Sequence, residues 1–270
     1  MNKVSFFKNN RPGNGFVQDD FLPKGENEYY IRNEQVNASE KHWRNLTNDE
    51  VNVLKANANY ADDWNRVLVS DIFDAECIRN SKFYGLVRIG DICCGVLQYD
   101  SLQLPIGIYN SIIISSDIGN NVAIHNVNYL ANYIVENECI LFNIKEMMAT
   151  PTAKFGNGVV KDGEDEDSRL MITVMNEAGG REISPFEDMI AADAYMWAKY
   201  IDDSELKHRL VEMTHLAVDA RHGYYGTVGY NTVVKNTLSV VDVKVGDCSV
   251  IDGVNRLQNI TVKSSREISS

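Results

Sequence analysis

The chain has 270 residues, of which 44% are hydrophobic and 24% charged, and its formal net charge at pH 7 is -12. That length can bury a substantial core, and the composition fits a soluble globular protein. The acidic balance argues against nucleic acid or an anionic membrane as partner, because both need a basic face, and no apolar run reaches the roughly 20 residues of a membrane span.

Residues 1–44 are rich in Asn, Gly, Asp and Glu without a period and are expected to form an irregular arm. The opening MNKVSFFKNNRPGNG lacks the apolar region of a secretion signal, which points to a cytoplasmic protein. The five cysteines, Cys77, Cys93, Cys94, Cys139 and Cys248, are odd in number, include an adjacent pair and contain no CxxC. They are expected to be buried, reduced thiols with no metal among them. Residues 45–65 should form a helical cap, since Thr47-Asn-Asp-Glu50 has the capping-box form and VNVLKANA follows it.

Over residues 66–175 short aliphatic pieces are punctuated by Gly and Asn. Ile106, Ile112, Ile118, Ile124 and Leu130 recur at steps of six, and Gly107 and Gly119 each follow one of them. This resembles the hexapeptide repeat of left-handed parallel β-helices, in which three short strands make one triangular turn of roughly 18 residues. Each side directs one aliphatic side chain inward, and each corner favours residues that tolerate positive φ. Asn110, Asn120, Asn121, Asn126 and Asn132 are the candidate corner residues. An ordinary sandwich alternates at period two and turns every 8–12 residues, which steps of six do not match.

The acidic run at 161–168 reads as an exposed loop. Residues 176–225 should hold a strand-to-helix turn and an inserted helical hairpin, with helices over 185–201 and 204–221. Ser184 is the expected cap of the first, with Pro185 and Glu187 behind it. On the second, Leu206, Leu210, Met213, Ala217 and Ala220 form an apolar stripe. The repeats resume over 226–262, where Val245, Ile251 and Leu257 are again six apart and Val240 to Val245 is a step of five. The polar tail at 263–270 is too short to cover a triangular end, so the last coil should be bare. Either the chain is a truncated form of a longer protein, or another copy covers that coil.

The segments LTNDEV, DDWNRVLVS, NVNYLANYIV, KFGNGV, NEAGGREI and RLQN resemble, in this order, a family of larger bacterial proteins of unknown function. Some of its members are labelled UDP-N-acetylglucosamine pyrophosphorylase-like, and the likeness covers their N-terminal portion. It implies a mainly β protein: a left-handed parallel β-helix with an N-terminal helix and an inserted helical hairpin. Such a fold is shared by transferases that handle nucleotide-sugars or acyl donors and by non-catalytic scaffolds, and both remain open.

Gly179-Gly180-Arg181 is the nearest match to a nucleotidyltransferase phosphate loop, and it lacks the Gly-Thr-Arg core. A tight turn with Arg181 in an ion pair is the structural alternative. His125 and His222 are the candidate general bases of an acyltransferase, each with a solvated or stacked side chain as its alternative. His208, Glu212, His215 and Asp219 share one helical face at metal-ligand spacing, where an exposed charged face is the simpler explanation. No particular cofactor is implied.

Overall fold

The structure is a computed structural model that describes residues 4–8, 10–174 and 179–263. The protein is mainly β, built on a curled 17-stranded sheet dominated by parallel pairs. Four α-helices accompany it among the described residues: α1 (Tyr30–Gln35), α2 (Asn48–Ala56), α3 (Ala191–Lys199) and α4 (Ser204–Ala217).

Residue pairing resolves the large sheet into three ladders that the chain visits in turn. Ala61, Phe83, Ile113, Leu130, Met147, Val240 and Leu257 follow one another on the first. Val69, Ile89, Ile118, Val135, Val228, Val245 and Val262 make the second. The third carries Ile78, Ile108, Ile124, Leu141, Val234 and Ile251. All of these residues belong to or pack against one hydrophobic cluster, so the three ladders face a shared interior.

Within the regular part the chain returns to a ladder after seventeen residues, as from Ile113 to Leu130 to Met147. The step from the first ladder to the second is five, as from Ile113 to Ile118 and Leu130 to Val135, and the five-residue step at Val240–Val245 is the same feature. A strict series of six therefore slips out of phase. Ile118, Ile124 and Leu130 are ladder members, whereas the inward residues before them are Ile113 and Ile108 rather than Ile112 and Ile106. Ile112 is half-buried, and Ile106 joins the same cluster from beside the ladder. Tyr133 also points inward, lies across Gly226 and donates to the Val243 carbonyl at 2.9 Å. A Cβ at Gly226 would sit 2.4 Å from that ring, so only glycine fits.

The corners are built from asparagine in the left-handed region. Asn80, Asn110, Asn126, Asn143 and Asn236 all have positive φ and each lies two residues past a third-ladder residue. Their amides join into a stack: Asn80 to Asn110 at 2.9 Å, Asn110 to Asn126 at 3.0 Å and Asn143 to Asn236 at 3.0 Å. Asn121, Asn132 and Asn231 have positive φ at the other corners, and Asn120 accepts the Asp91 N–H at 2.8 Å. Asn126→Ala loses a stack bond and puts a Cβ without local polar compensation at φ 56°. It should cost about 1–2 kcal/mol, and Asn126→Gly less, read as the difference between their thermal melts.

The capping box of α2 is formed as expected: Thr47 Oγ1 accepts the Glu50 N–H at 3.2 Å and Glu50 Oε2 accepts the Thr47 N–H at 2.7 Å. Leu54 on α2 enters the shared interior and covers its first turn. The helical hairpin is present but shorter than expected, because α3 starts only at Ala191. Ser184 is not its cap; the hydroxyl is buried and donates to the Gly158 carbonyl at 3.1 Å, while Ile190 N–H donates to Asp193 at 3.0 Å. The expected stripe on α4 is only partly used: Leu206 and Leu210 are half-buried, Thr214 is fully buried, and Met213 is exposed. One further expectation is corrected. Cys93 and Cys94 are exposed, since both lie where the chain leaves the ladders for an antiparallel hairpin, Val96–Tyr99 with Leu102–Pro105. The irregular arm is ordered against the body of the fold.

Candidate functional site

Alternation along the second ladder turns Arg88, Asp117, Ile134, Thr227, Lys244 and Thr261 outward. Much of this face is covered by other parts of the chain. The arm covers its first rungs, where Phe16, Val17 and Val36 pack with Ile134 and Tyr225. Arg32 of α1 is 0% exposed, held between the Tyr29 and Tyr225 rings at 4.6 and 5.1 Å. Its Nη1 donates to the Leu86 carbonyl at 2.9 Å and lies 3.7 Å from Asp117. Arg88 grips Asp117 with two bonds, one of 2.7 Å, and reaches Asn33 of the arm at 2.9 Å.

The lower rungs are covered by segments flanking the helical insert, which leave a cleft of about 230 Å³. Lys154, Lys161, Lys244, Tyr224, Asp219 and Glu187 contribute to its wall. Lys161 is 3% exposed; its Nζ donates to the Asp219 carbonyl at 2.8 Å and the Arg221 carbonyl at 3.2 Å and lies 4.8 Å over the Tyr224 ring. Burial lowers its pKa to about 8, opposed by Asp219 and reinforced by Lys244. Lys244 is also lowered by burial, lies 4.8 Å over the Phe155 ring and makes no ion pair among the described residues.

Glu187 of the cleft wall opposes the burial effect on Lys244 without pairing with it, and two other nearby carboxylates are engaged elsewhere. Lys154 is paired with Glu164 at 2.8 Å. Burial favours a protonated Asp219, but hydrogen bonds from Arg221 and Tyr224 outweigh it and hold that carboxyl at about 2. What remains is a desolvated pair of lysines beside a concave space, a combination that attracts a multiply charged anion. Lys154 also borders a neighbouring cleft of about 450 Å³ with Arg169 and Asp242. A third cleft, about 340 Å³, is acidic, with Asp91, Asp117 and Glu136 opposite Trp43.

The residues singled out by sequence do not converge. His125 sits outside the third ladder, stacked on Tyr109 at 4.4 Å, with Nε2 2.8 Å from the Pro105 carbonyl. Burial lowers its pKa, so the ring is a neutral donor to that carbonyl. His222 is buried against Phe21 at 3.9 Å, with Nε2 2.6 Å from the Asp162 carbonyl. It borders the lysine cleft only through the neighbouring Arg221 carbonyl that accepts from Lys161. Gly179 and Gly180 have φ of 65° and 64°, with open space around them, ahead of the short antiparallel strand Glu182–Ile183. Arg181 is in no ion pair among the described residues; its Nη1 donates to the Ala198 carbonyl of α3. With α3 starting ten residues beyond Arg181, the turn does not abut a helix N-terminus in the way a phosphate loop does.

His208 and Glu212 pair at 3.2 Å, but His215 Nε2 lies 2.8 Å from Arg169 and Asp219 lies past the end of α4. Sequence reasoning missed Lys161 because it opens the acidic run at 161–168; the available signal was the apolar FGNGVV before it.

A family described as "Domain of unknown function (DUF4954)" matches residues 43–269. An uncharacterized protein of Treponema pallidum (strain Nichols) is 44% identical over 253 residues, covering 94% of this chain and 35% of that protein. The chain thus spans about a third of the length of that relative. No solved structure matches it. Among the described residues no helix is long and apolar enough to cross a membrane.

Proposed function

The chain belongs to the DUF4954 family, and from its own geometry we propose that it binds a phosphate-bearing small molecule in the Lys161–Lys244 cleft, as a transferase handling a nucleotide-linked sugar or an acyl donor would. The observation that carries this reading is the pair of desolvated lysines, neither of which makes an ion pair among the described residues. UDP-sugars and acetyl-CoA share the phosphates that such a pair recognises. The proposed frame is a left-handed, three-sided parallel β-helix. The three ladders and the seventeen-residue return support the three-sided part, and the resemblance to hexapeptide repeats supports the hand. A cytoplasmic location belongs to the proposal, on the strength of five cysteines whose odd number and adjacent Cys93–Cys94 pair make a poor disulfide framework.

Thermal shift with UDP-sugars, acetyl-CoA and inorganic phosphate tests the site. A ligand at a hundred times its Kd should stabilise the chain by about 2.7 kcal/mol, an effect that Lys244→Ala removes and Lys235→Ala, on the third ladder, leaves intact. The pH dependence has opposite signs for binding and stability. Lys161 has its folded pKa depressed from 10.5 to about 8, so its contribution to the stability of the ligand-free chain rises as pH climbs through that interval. Anion binding needs the charged form and should weaken over the same interval. No shift with any phosphate ligand, or an undiminished shift in Lys244→Ala, overturns the assignment.

The second reading is a non-catalytic scaffold that self-assembles through its last described rung. It is favoured by Arg256–Val262, where Ile260 is 38% exposed and Leu257 and Val262 are half-buried. Sedimentation over a concentration series separates the two: scaffold assembly grows with concentration and ignores the phosphate ligands.

A further inference from the structure

Cys94 lies beside Cys77, with their sulfurs 3.7 Å apart, where one turn of the chain stacks on the next through the Phe73–Ile92 bridge. Cys77 is buried at the end of the one-turn helix Ala75–Cys77, and Asp74 caps that turn. Cys94 Sγ is 3.2 Å from Asp74 Oδ2, and the ligand atoms of all three residues lie within 4.8 Å of one another. The other Asp74 oxygen accepts the Glu76 N–H at 2.9 Å, which fixes the carboxylate with Oδ2 turned to the thiols.

We propose that Asp74, Cys77 and Cys94 form a zinc site with one coordination position open. Two of the three donor separations are close to a tetrahedral edge, and the third lies within 4.8 Å. Zinc about 2.3 Å from each of two thiolates sets them about 3.8 Å apart, and a carboxylate oxygen at about 2.0 Å lies about 3.5 Å from either sulfur. The observed 3.7 and 3.2 Å need only small adjustments to reach both. The donor set suits zinc: two soft sulfurs and one oxygen, with water or a ligand atom completing four. Binding would displace two thiol protons and neutralise a crowded set of acidic groups. The site also ties two successive turns together at the point where the chain departs for the hairpin Val96–Pro105. Zinc there would clamp the hairpin against the third ladder, whose outer face it covers through Leu104, Ala123 and Ile140.

The test uses the reduced full chain, stripped with a chelator and titrated with zinc against a chromophoric competitor, with cobalt as the spectroscopic substitute. The expected result is one ion per chain and a thiolate-to-cobalt charge-transfer band. Cys94→Ser, at an exposed position that folding does not need, should weaken zinc at least about tenfold and abolish the band. Cys93→Ser, whose sulfur faces Asn121 at 3.5 Å, should bind as the parent does. Equal binding by Cys94→Ser, no uptake by the reduced chain, or a Cys77–Cys94 disulfide that persists in the protein purified from reducing cytoplasm would overturn the proposal.

Discussion

Ile118→Asp is expected to abolish folding, so that the variant shows no cooperative melt and collects in the insoluble fraction. Ile118 is 1% exposed, lies between Ile89 and Val135 on the second ladder, and faces an interior of Ile, Val, Leu and Phe. A carboxylate there finds neither a hydrogen-bond donor nor water, and must remain charged without solvation or take up a proton at a large cost. Either route costs more than about 4–5 kcal/mol, comparable with the whole stability of many domains. Ile112→Asp is the control. Ile112 is half-buried and alternates to the other face from the inward Ile113, so the same substitution should leave a folded chain with a lower melting temperature. A cooperative, near-parental melt for Ile118→Asp would mean the ladders do not share an interior.

Asp117→Ala should detach the arm and destabilise the chain by about 3–5 kcal/mol, the usual cost of stranding a buried charge. Asp117 is the carboxylate facing both Arg88 and Arg32, and all three are buried. Removing it leaves two guanidinium groups that can neither reach water nor shed their charge. Relief comes from moving α1 away, since Arg32 belongs to the arm and Arg88 to the ladder. Limited proteolysis should then cut within residues 10–40 at conditions where the parent resists, alongside a lowered melt. A melt within about 1 kcal/mol of the parent and an intact arm would show that apolar contacts of Phe16, Val17 and Val36 hold it alone.

Sequence pattern carried the repetitive part of the fold well, because its signals are local. The α2 cap depends on residues three apart, and the left-handed corners demand residues that tolerate positive φ; four of the five nominated asparagines adopt it. The candidate site was much less legible. Lys161 opens what reads as a solvated charge run and nothing local marks Lys244, whereas the folded chain lays carbonyls and the Tyr224 ring over the first and the Phe155 ring against the second. His125 and His222 stood out as residue types, yet stacking and carbonyl contacts occupy both rings.

The amino-acid sequence by itself determined that this chain is mainly β with aliphatic residues at near-regular steps, that a capped helix precedes the repeats, and that a helical hairpin interrupts them. Tertiary structure alone decided the phase, because the five-residue step between the first and second ladders appears only once strands pair, and it moves the inward position from Ile112 to Ile113. It alone decided the arm as well: Arg32 and Asp117 are far apart in the chain, and nothing local announces a charge that will be buried against a ladder. The same holds for Cys77 with Cys94 and for Lys161 with Lys244. Residues that meet by stacking of turns or by docking of an insert carry no short spacing to betray them, and burial, which shifts their pKa values and defines their chemistry, is a property of the packed chain.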